Sequence, residues 1–272
     1  PPPPGRGRRS PRGRHRNSLT RVRPRAVGFD FGRTLVEIGY PAEGLRQVGP
    51  ELVAELGLRA TPVTPSEVGP AIDSLVDRLI AERHRRDPLH EVDIRAVYRE
   101  ALSSVLQMEA TSSQAELASL LLQRPWSAVV RPLPGVLEAL DHLRADGARL
   151  GLLSNAPYAA SALHGMLDDS GLSARLDAAL FSCELGIRKP APAAFEALLR
   201  GLDTEPSAAW FVGDEWESDI LGAAGAGLRP LLAPGAPEPL DAGSVTRLRS
   251  FSHLVELWHS EAGPPEVTAP PH

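Results

Sequence analysis

The feature that most limits how this chain can fold is a short apolar run, Ala26–Phe29, that stops on an acid, Asp30. A run of that length without polar alternation reads as a strand buried on both faces, with a carboxylate at its tip. Three later runs have the same form: Arg149–Ser154, Ala179–Ser182 and Ala209–Asp214. Leu228–Leu232 is a candidate fifth strand, and Pro230, which cannot donate to a ladder, favours an edge position for it. Helical patterns lie between the runs. Val136, Leu137, Leu140 and Leu143 share one face between a Pro134 start and a Gly147 stop, and Phe195, Leu198, Leu199 and Leu202 repeat the pattern. Strands alternating with helices predict an α/β fold, a parallel sheet wrapped on both faces. Ligands of such sheets bind beyond the carboxyl ends of the strands, so the polar residues at those ends are the ones to read.

Residues 41–126 interrupt the alternation. Leu45, Val48, Leu52, Val53 and Leu56 suit one helix, and Val68, Ile72, Leu75, Val76, Leu79 and Ile80 a second. Val92, Val97, Tyr98, Ala101, Leu102 and Val105 suit a third, and Leu117–Leu122 a fourth. The expected organisation is an α/β core from 26–40 and 127–258, with an all-helical insertion at 41–126. Residues 1–25 and 259–272, rich in Pro, Gly and charge, are expected to be disordered extensions.

The net charge of −5 conceals an asymmetry. Nine arginines and no acid fall in residues 1–25, leaving 20 basic against 34 acidic side chains, a charge of −14, for the rest. An acidic core argues against nucleic acid as its partner. The basic start could serve as an arm for nucleic acid or a membrane surface, although an unstructured extension suits its composition better. The single cysteine, Cys183, rules out an intramolecular disulfide framework and fits a reducing cytoplasm. No stretch reaches the roughly 18 apolar residues of a membrane span.

Polar clusters follow the strand-like runs: Asp30 with Thr34, Ser154 with Asn155, Lys189 with Pro190, and Asp214 with Asp219. A strand-end carboxylate can attack phosphorus. A lysine can neutralise the charge of the moving phosphoryl group, and a second acid can help hold Mg²⁺, which prefers oxygen ligands. Each residue also has a plainer reading. A strand-end Asp often caps the next helix, Ser-Asn suits a turn, and Lys-Pro suits the residues before a helix. The composition weighs against the plain reading at one position. Of 29 basic residues Lys189 alone is lysine, which suggests a need there for a compact ammonium rather than a planar fork.

These four clusters, in this order and with a helical insertion after the first, resemble the haloacid dehalogenase superfamily over about residues 26–235. The resemblance implies a Rossmann-like core with an inserted helical cap of the C1 type (subfamily I). It implies Asp30, Lys189 and Ser154 as catalytic residues, Asp30 being the nucleophile. Thr34, Asn155 and Arg33 would contact the phosphorylated substrate. Asp30, Gly32 through its carbonyl, Asp214 and Asp219 would form the Mg²⁺ site, Asp219 by orienting Lys189 or a metal-bound water. The expected activity is hydrolysis of a small phosphorylated metabolite through an aspartyl-phosphate, by a cytoplasmic enzyme.

The pattern departs from the family's phosphatases two positions after the nucleophile. Gly32 stands where they usually carry an acid/base Asp, and Arg33 where Gly is frequent. The missing proton transfer is worth roughly 10²–10⁴-fold. A haloacid dehalogenase needs no such proton, but the acidic 213–219 segment looks like a retained metal site. A phosphonatase would need a cap lysine, and residues 41–126 contain none. A phosphatase would need an easy leaving group, such as a sugar 1-phosphate, acyl phosphate or aryl phosphate presents, or an acid from elsewhere: Glu37, His84 or His90. The cluster Arg83, His84, Arg85 and Arg86 could clamp an anionic substrate or simply complement a helix end. A non-catalytic protein that binds phosphorylated ligands is the alternative class.

Overall fold

The computed structural model describes residues 23–237, 243 and 245–262. Its centre is a parallel sheet of β1 (Ala26–Phe29), β4 (Arg149–Ser154), β5 (Ala178–Phe181), β6 (Ala209–Gly213), β7 (Arg229–Leu232) and β8 (Thr246–Arg247). The strand order is β5-β4-β1-β6-β7-β8. The chain thus leaves β1 toward one edge, returns, and builds outward on the other side. That reversal beside β1 opens a crevice at the strand tips, and the residue at β1's tip is Asp30.

Every residue of β1 is buried, as its unbroken apolar run requires. Gly28 has a packing reason. A Cβ there would stand 2.6 Å from Leu198 and 2.8 Å from Phe211, so its absence lets α8 (Pro192–Gly201) lie close against the sheet. The other face of the sheet is covered by α5 (Val136–Ala145), α6 (Ala160–Asp169) and α10 (Phe251–Ala262) through Leu140, Leu163, Leu167, Leu254 and Trp258. The short helices α7 (Ser182–Leu185) and α9 (Gly222–Gly225) complete the connections.

Two details differ from the sequence expectation. β7 is not the edge strand, because β8 pairs outside it, but β8 engages only Leu231 and Leu232. At Pro230 the outer side carries no ladder, so the missing N–H costs nothing there. The C-terminal helix α10 continues to Ala262, past the point at which the Pro-rich tail was expected to begin. The expectations for residues 1–22 and 263–272 lie outside the described residues.

Between β1 and β4 the chain forms a two-stranded antiparallel ribbon, β2 (Val36–Ile38) with β3 (Val130–Pro132). The ribbon carries the helical insertion: α1 (Ala42–Glu55), α2 (Pro65–Arg86), α3 (Ile94–Leu106) and α4 (Ser112–Ser127). Capping boxes start two of them, Thr64 with Glu67 and Thr111 with Gln114, and Asp93 caps α3. The insertion has its own core of Leu45, Leu52, Ile72, Val97, Leu102 and Leu122. It touches the α/β core again between α2 and α3, where Glu91 N–H donates to Gly186 and Arg188 N–H to Leu89. The buried Glu91 carboxylate also gathers Ser182 and His84. No helix among the described residues is long and apolar enough to cross a membrane.

Asp73 on α2 is buried, with one oxygen accepting from Trp126 Nε1 at 3.2 Å and the other without a partner. Burial, and then the neighbouring Asp77, push its pKa up to about 6. The folded state therefore takes up this proton before the unfolded chain does. Stability is gained as the pH falls through 6, and is lost as the pH rises toward neutrality. Asp73→Asn fixes the neutral form. It should raise stability by about 1–2 kcal/mol at pH 7.5 and by nothing at pH 4, measured by urea unfolding at both pH values.

Candidate active site

Four strand ends and one loop converge on a cavity of about 410 Å³ bounded by the core, the ribbon and α4. Lys189 is the centre of its floor. Its side chain is 1% exposed, and Nζ donates to Asp30 Oδ1 at 2.7 Å and to Asp219 Oδ1 at 2.7 Å. The ring of Phe211 lies 5.2 Å from the ammonium, and the Lys189–Pro190 peptide is cis. Burial disfavours the charged lysine, yet Asp30 and Asp219 outweigh it and hold its pKa above the usual value. Burial dominates at Asp30, whose pKa is pushed up to about 7 with help from Asp219 and Asp214 and against the pull of Lys189.

Asn155 fixes the loop that delivers the lysine. Its Nδ2 donates to the Lys189 carbonyl at 2.9 Å, and its Oδ1 accepts from the Lys189 N–H at 2.8 Å. The amide expected to face substrate is thus spent on the Lys189 backbone. Ser154, at the tip of β4, lines the cavity with Asp30 and Lys189. Thr34 does not. It is fully buried, with its hydroxyl aimed at Asp214 Oδ1 at 3.5 Å, beneath the cavity rather than in it.

Asp219 stands on a π-helical turn, Trp216–Leu221, a geometry that is rare and frequent at functional sites. It packs against Gly213, where a Cβ would lie 2.4 Å from its own, so glycine at the end of β6 is what lets this carboxylate reach Lys189. Asp219 Oδ2 accepts from the Glu215 N–H at 2.9 Å. Both of its oxygens are therefore engaged.

Asp30, Asp214 and Asp219 are all buried and each offers an oxygen within 4.8 Å of the others'. Three carboxylates against one ammonium leave an excess of buried negative charge, with hard oxygen donors that fit a magnesium ion. Burial, against the pull of Arg33, raises the pKa of Asp214. The Arg33 guanidinium lies on the cavity rim, with Nε 2.8 Å from Asp214 Oδ2 and its terminal nitrogen 2.7 Å from Glu215 Oε1. Arg33 is thus held at the acidic loop, although it was expected to face substrate. Its backbone is left-handed, φ 58°, where glycine is unstrained.

None of the three replacement acids considered from sequence lines the cavity. Glu37 is exposed on the ribbon, His84 is bound to Glu91, and His90 is exposed beside Asp87. The basic cluster at the end of α2 is likewise elsewhere, with Arg83 on Glu100 and Arg86 on Glu82. Trp216 packs beside Ile220 and Leu232. Burial pushes the Cys183 thiol up to about 11, and its side chain packs against the core. Sequence reasoning missed the cavity's outer wall: Ile38 of the ribbon, Gln123 and Trp126 of α4, and Tyr158.

Comparison with known proteins identifies the family to which this fold belongs. The haloacid dehalogenase-like hydrolase family model matches residues 24–227. The chain belongs to that family. It is 30% identical over 235 residues to a phosphoglycolate phosphatase of Cereibacter sphaeroides, covering 85% of this chain and 94% of the relative. It is 27% identical over 209 residues to a glyceraldehyde 3-phosphate phosphatase of Methanothermobacter thermautotrophicus, covering 76% and 84%. A 2-haloacid dehalogenase structure from Pseudomonas syringae pv. Tomato superposes with a TM-score of 0.63 at 26% identity, over 87% of this chain and 99% of the other. The protein is a hydrolase of this superfamily, with relatives named as phosphatases.

Arg33 makes two measurable claims. Removing the guanidinium, as Ala or Gly, should tighten Mg²⁺ binding by up to about fivefold in calorimetric titration, the scale of an exposed ion pair. Arg33→Gly should also be more stable than Arg33→Ala by about 1 kcal/mol, because only glycine relieves the left-handed backbone.

Proposed function

We propose that the protein is a Mg²⁺-dependent phosphatase that hydrolyses a small phosphomonoester through an aspartyl-phosphate on Asp30. The observation that carries this reading is the Lys189 ammonium, held between Asp30 and Asp219 on the cavity floor beside Asp214. A binding protein has no chemical need for a carboxylate and an ammonium in that order. The phosphatase names of the relatives support the same class.

In the first step the free oxygen of Asp30 attacks phosphorus. An O–P bond forms and the ester P–O bond breaks, its electron pair leaving with the alcohol oxygen. Lys189 keeps Asp30 ionised and oriented, and its charge faces the transferring group. Ser154, at the tip of β4, contacts the phosphoryl oxygens. Asp30, the Gly32 carbonyl and Asp214 would hold Mg²⁺, which would offset the negative charge of the phosphoryl oxygens when bound. Water then attacks the aspartyl-phosphate, releasing phosphate and the carboxylate and giving up a proton that reprotonates the departed alcohol. α1–α4 act as a cap that keeps bulk water from the first step.

Gly32 supplies no side chain for either proton transfer. Space does not forbid one, since a Cβ there would meet only Ile38 Cδ1 at 3.7 Å. A dehalogenase is the second reading. The solved 2-haloacid dehalogenase favours it, as does a glycine where no proton is needed. Its signature would be metal-independent chloride release from 2-chloropropionate.

Phosphate release with Mg²⁺ should fall by 10³-fold or more in Asp30→Asn, and chelation of the metal should stop the wild type. Unchanged release in either case would sink the mechanism. Gly32→Asp should raise kcat on alkyl phosphates by roughly 10–100-fold and on aryl phosphates by much less. Equal gains on both would remove the missing-acid argument.

A further inference from the structure

The outer half of the cavity has a chemistry of its own. Trp126 lines it, but its indole N–H is turned to Asp73 at 3.2 Å. Tyr158 lines it too, with its hydroxyl 3.4 Å from Asp77 Oδ1. Gln123 is engaged at both ends, its Oε1 accepting from the Ala159 N–H at 3.0 Å and its Nε2 donating to Ser119 at 2.7 Å. The three polar side chains around this half therefore present ring and methylene carbon to the cavity. Phe31, Ile38, Leu163 and Met166 supply the remainder.

Charge is confined to the floor and its rim. The cations that line the cavity are Lys189 and Arg33, and each already faces two carboxylates. No cationic side chain lines the cavity on the side of the ribbon and α4, among the described residues. An anionic substituent beyond the phosphoryl group would lose its hydration there with nothing to replace it. The cavity volume of about 410 Å³ equals on the order of a dozen water volumes, enough for a phosphoryl group and a ring together.

We infer that the substrate's non-phosphoryl half is an uncharged aromatic ring, stacked within Trp126, Tyr158, Phe31, Ile38, Leu163 and Met166. The inference rests on the phosphatase reading and narrows its substrate to aryl-type phosphomonoesters. It meets the chemistry of Gly32 independently. An aryloxide leaves with the electron pair of the P–O bond without needing a proton in the same step, and is protonated afterwards from water. Asp73 and Asp77 act as positioning residues, because they turn the polar ends of the two aromatic walls away from the ring.

The test uses the full chain with Mg²⁺ and separates ring binding from leaving-group acidity. Benzylphosphonate and phosphonoacetate, neither of which can be hydrolysed, are titrated by calorimetry. Benzylphosphonate should bind at least tenfold more tightly, and equal or reversed affinities overturn the inference. In turnover, kcat/KM for 1-naphthyl phosphate should exceed that for 2-phosphoglycolate at least tenfold, and Trp126→Ala should reduce that ratio at least tenfold. Acetyl phosphate reads the underlying hydrolysis without a ring. Release from acetyl phosphate and 2-phosphoglycolate without a ring preference overturns this inference and leaves the phosphatase standing. Tight benzylphosphonate binding with no release from any ester or from acetyl phosphate overturns the phosphatase and leaves the ring site.

Discussion

A single ammonium, that of Lys189, lies between two buried carboxylates, and the placement of almost everything at the strand tips serves to keep it there. Losing the charge would leave Asp30 and Asp219 uncompensated in a dry site, a defect that costs about 3–5 kcal/mol in comparable buried networks. The supports are specific. Asn155 grips the Lys189 backbone on both sides, Gly213 makes room for Asp219, and the π turn aims Asp219 inward. The sheet order matters for the same reason, since β1 and β6 are neighbours and β4 flanks β1 on its other side. Asp30 at the tip of the first, Asp219 from the turn that follows the second and Asn155 from the end of the third can then meet one lysine.

The charge that stabilises this arrangement also strains it. Burial and two further acids push the pKa of Asp30 up to about 7, because one lysine only partly offsets the negative charge gathered there. Arg33 answers part of that excess from outside, at the expense of a left-handed backbone. Stability and chemistry thus share the same groups. A chain selected for folding alone would replace this cluster with apolar packing.

Much of the fold was legible because burial writes a strong pattern. β1, β4 and β6 are apolar runs that end on polar residues, and the four inserted helices carry clear apolar faces. Lys189 stood out chemically as the lone lysine of an arginine-rich chain. The ribbon was not legible, because three-residue strands such as Val36–Ile38 and Val130–Pro132 are too short to show a period. Nor was the bond from Asn155 to a backbone 34 positions away, or the turning of Trp126 and Tyr158 by acids on α2. Those depend on contacts between segments far apart in the sequence, made only once the chain has folded. The partner of Thr34 was not legible either. Sequence places it beside Asp30, while the turn after β1 sends its hydroxyl to Asp214.

The ribbon and the Leu89–Glu91 contact attach the helical insertion to the core at two places, and the bonds of Gln123 to the Ala159 N–H and of Asp77 to the Tyr158 hydroxyl attach it at a third. A body held at two places could rotate about the line that joins them, and the third contact opposes that rotation. One end of that axis carries Ile38, a wall of the cavity. The other pairs with Arg188, whose next residue is Lys189. The wall between them carries Tyr158 and Gln123 of the third contact, so the same bonds that turn their polar ends away from the cavity also tie its two sides together.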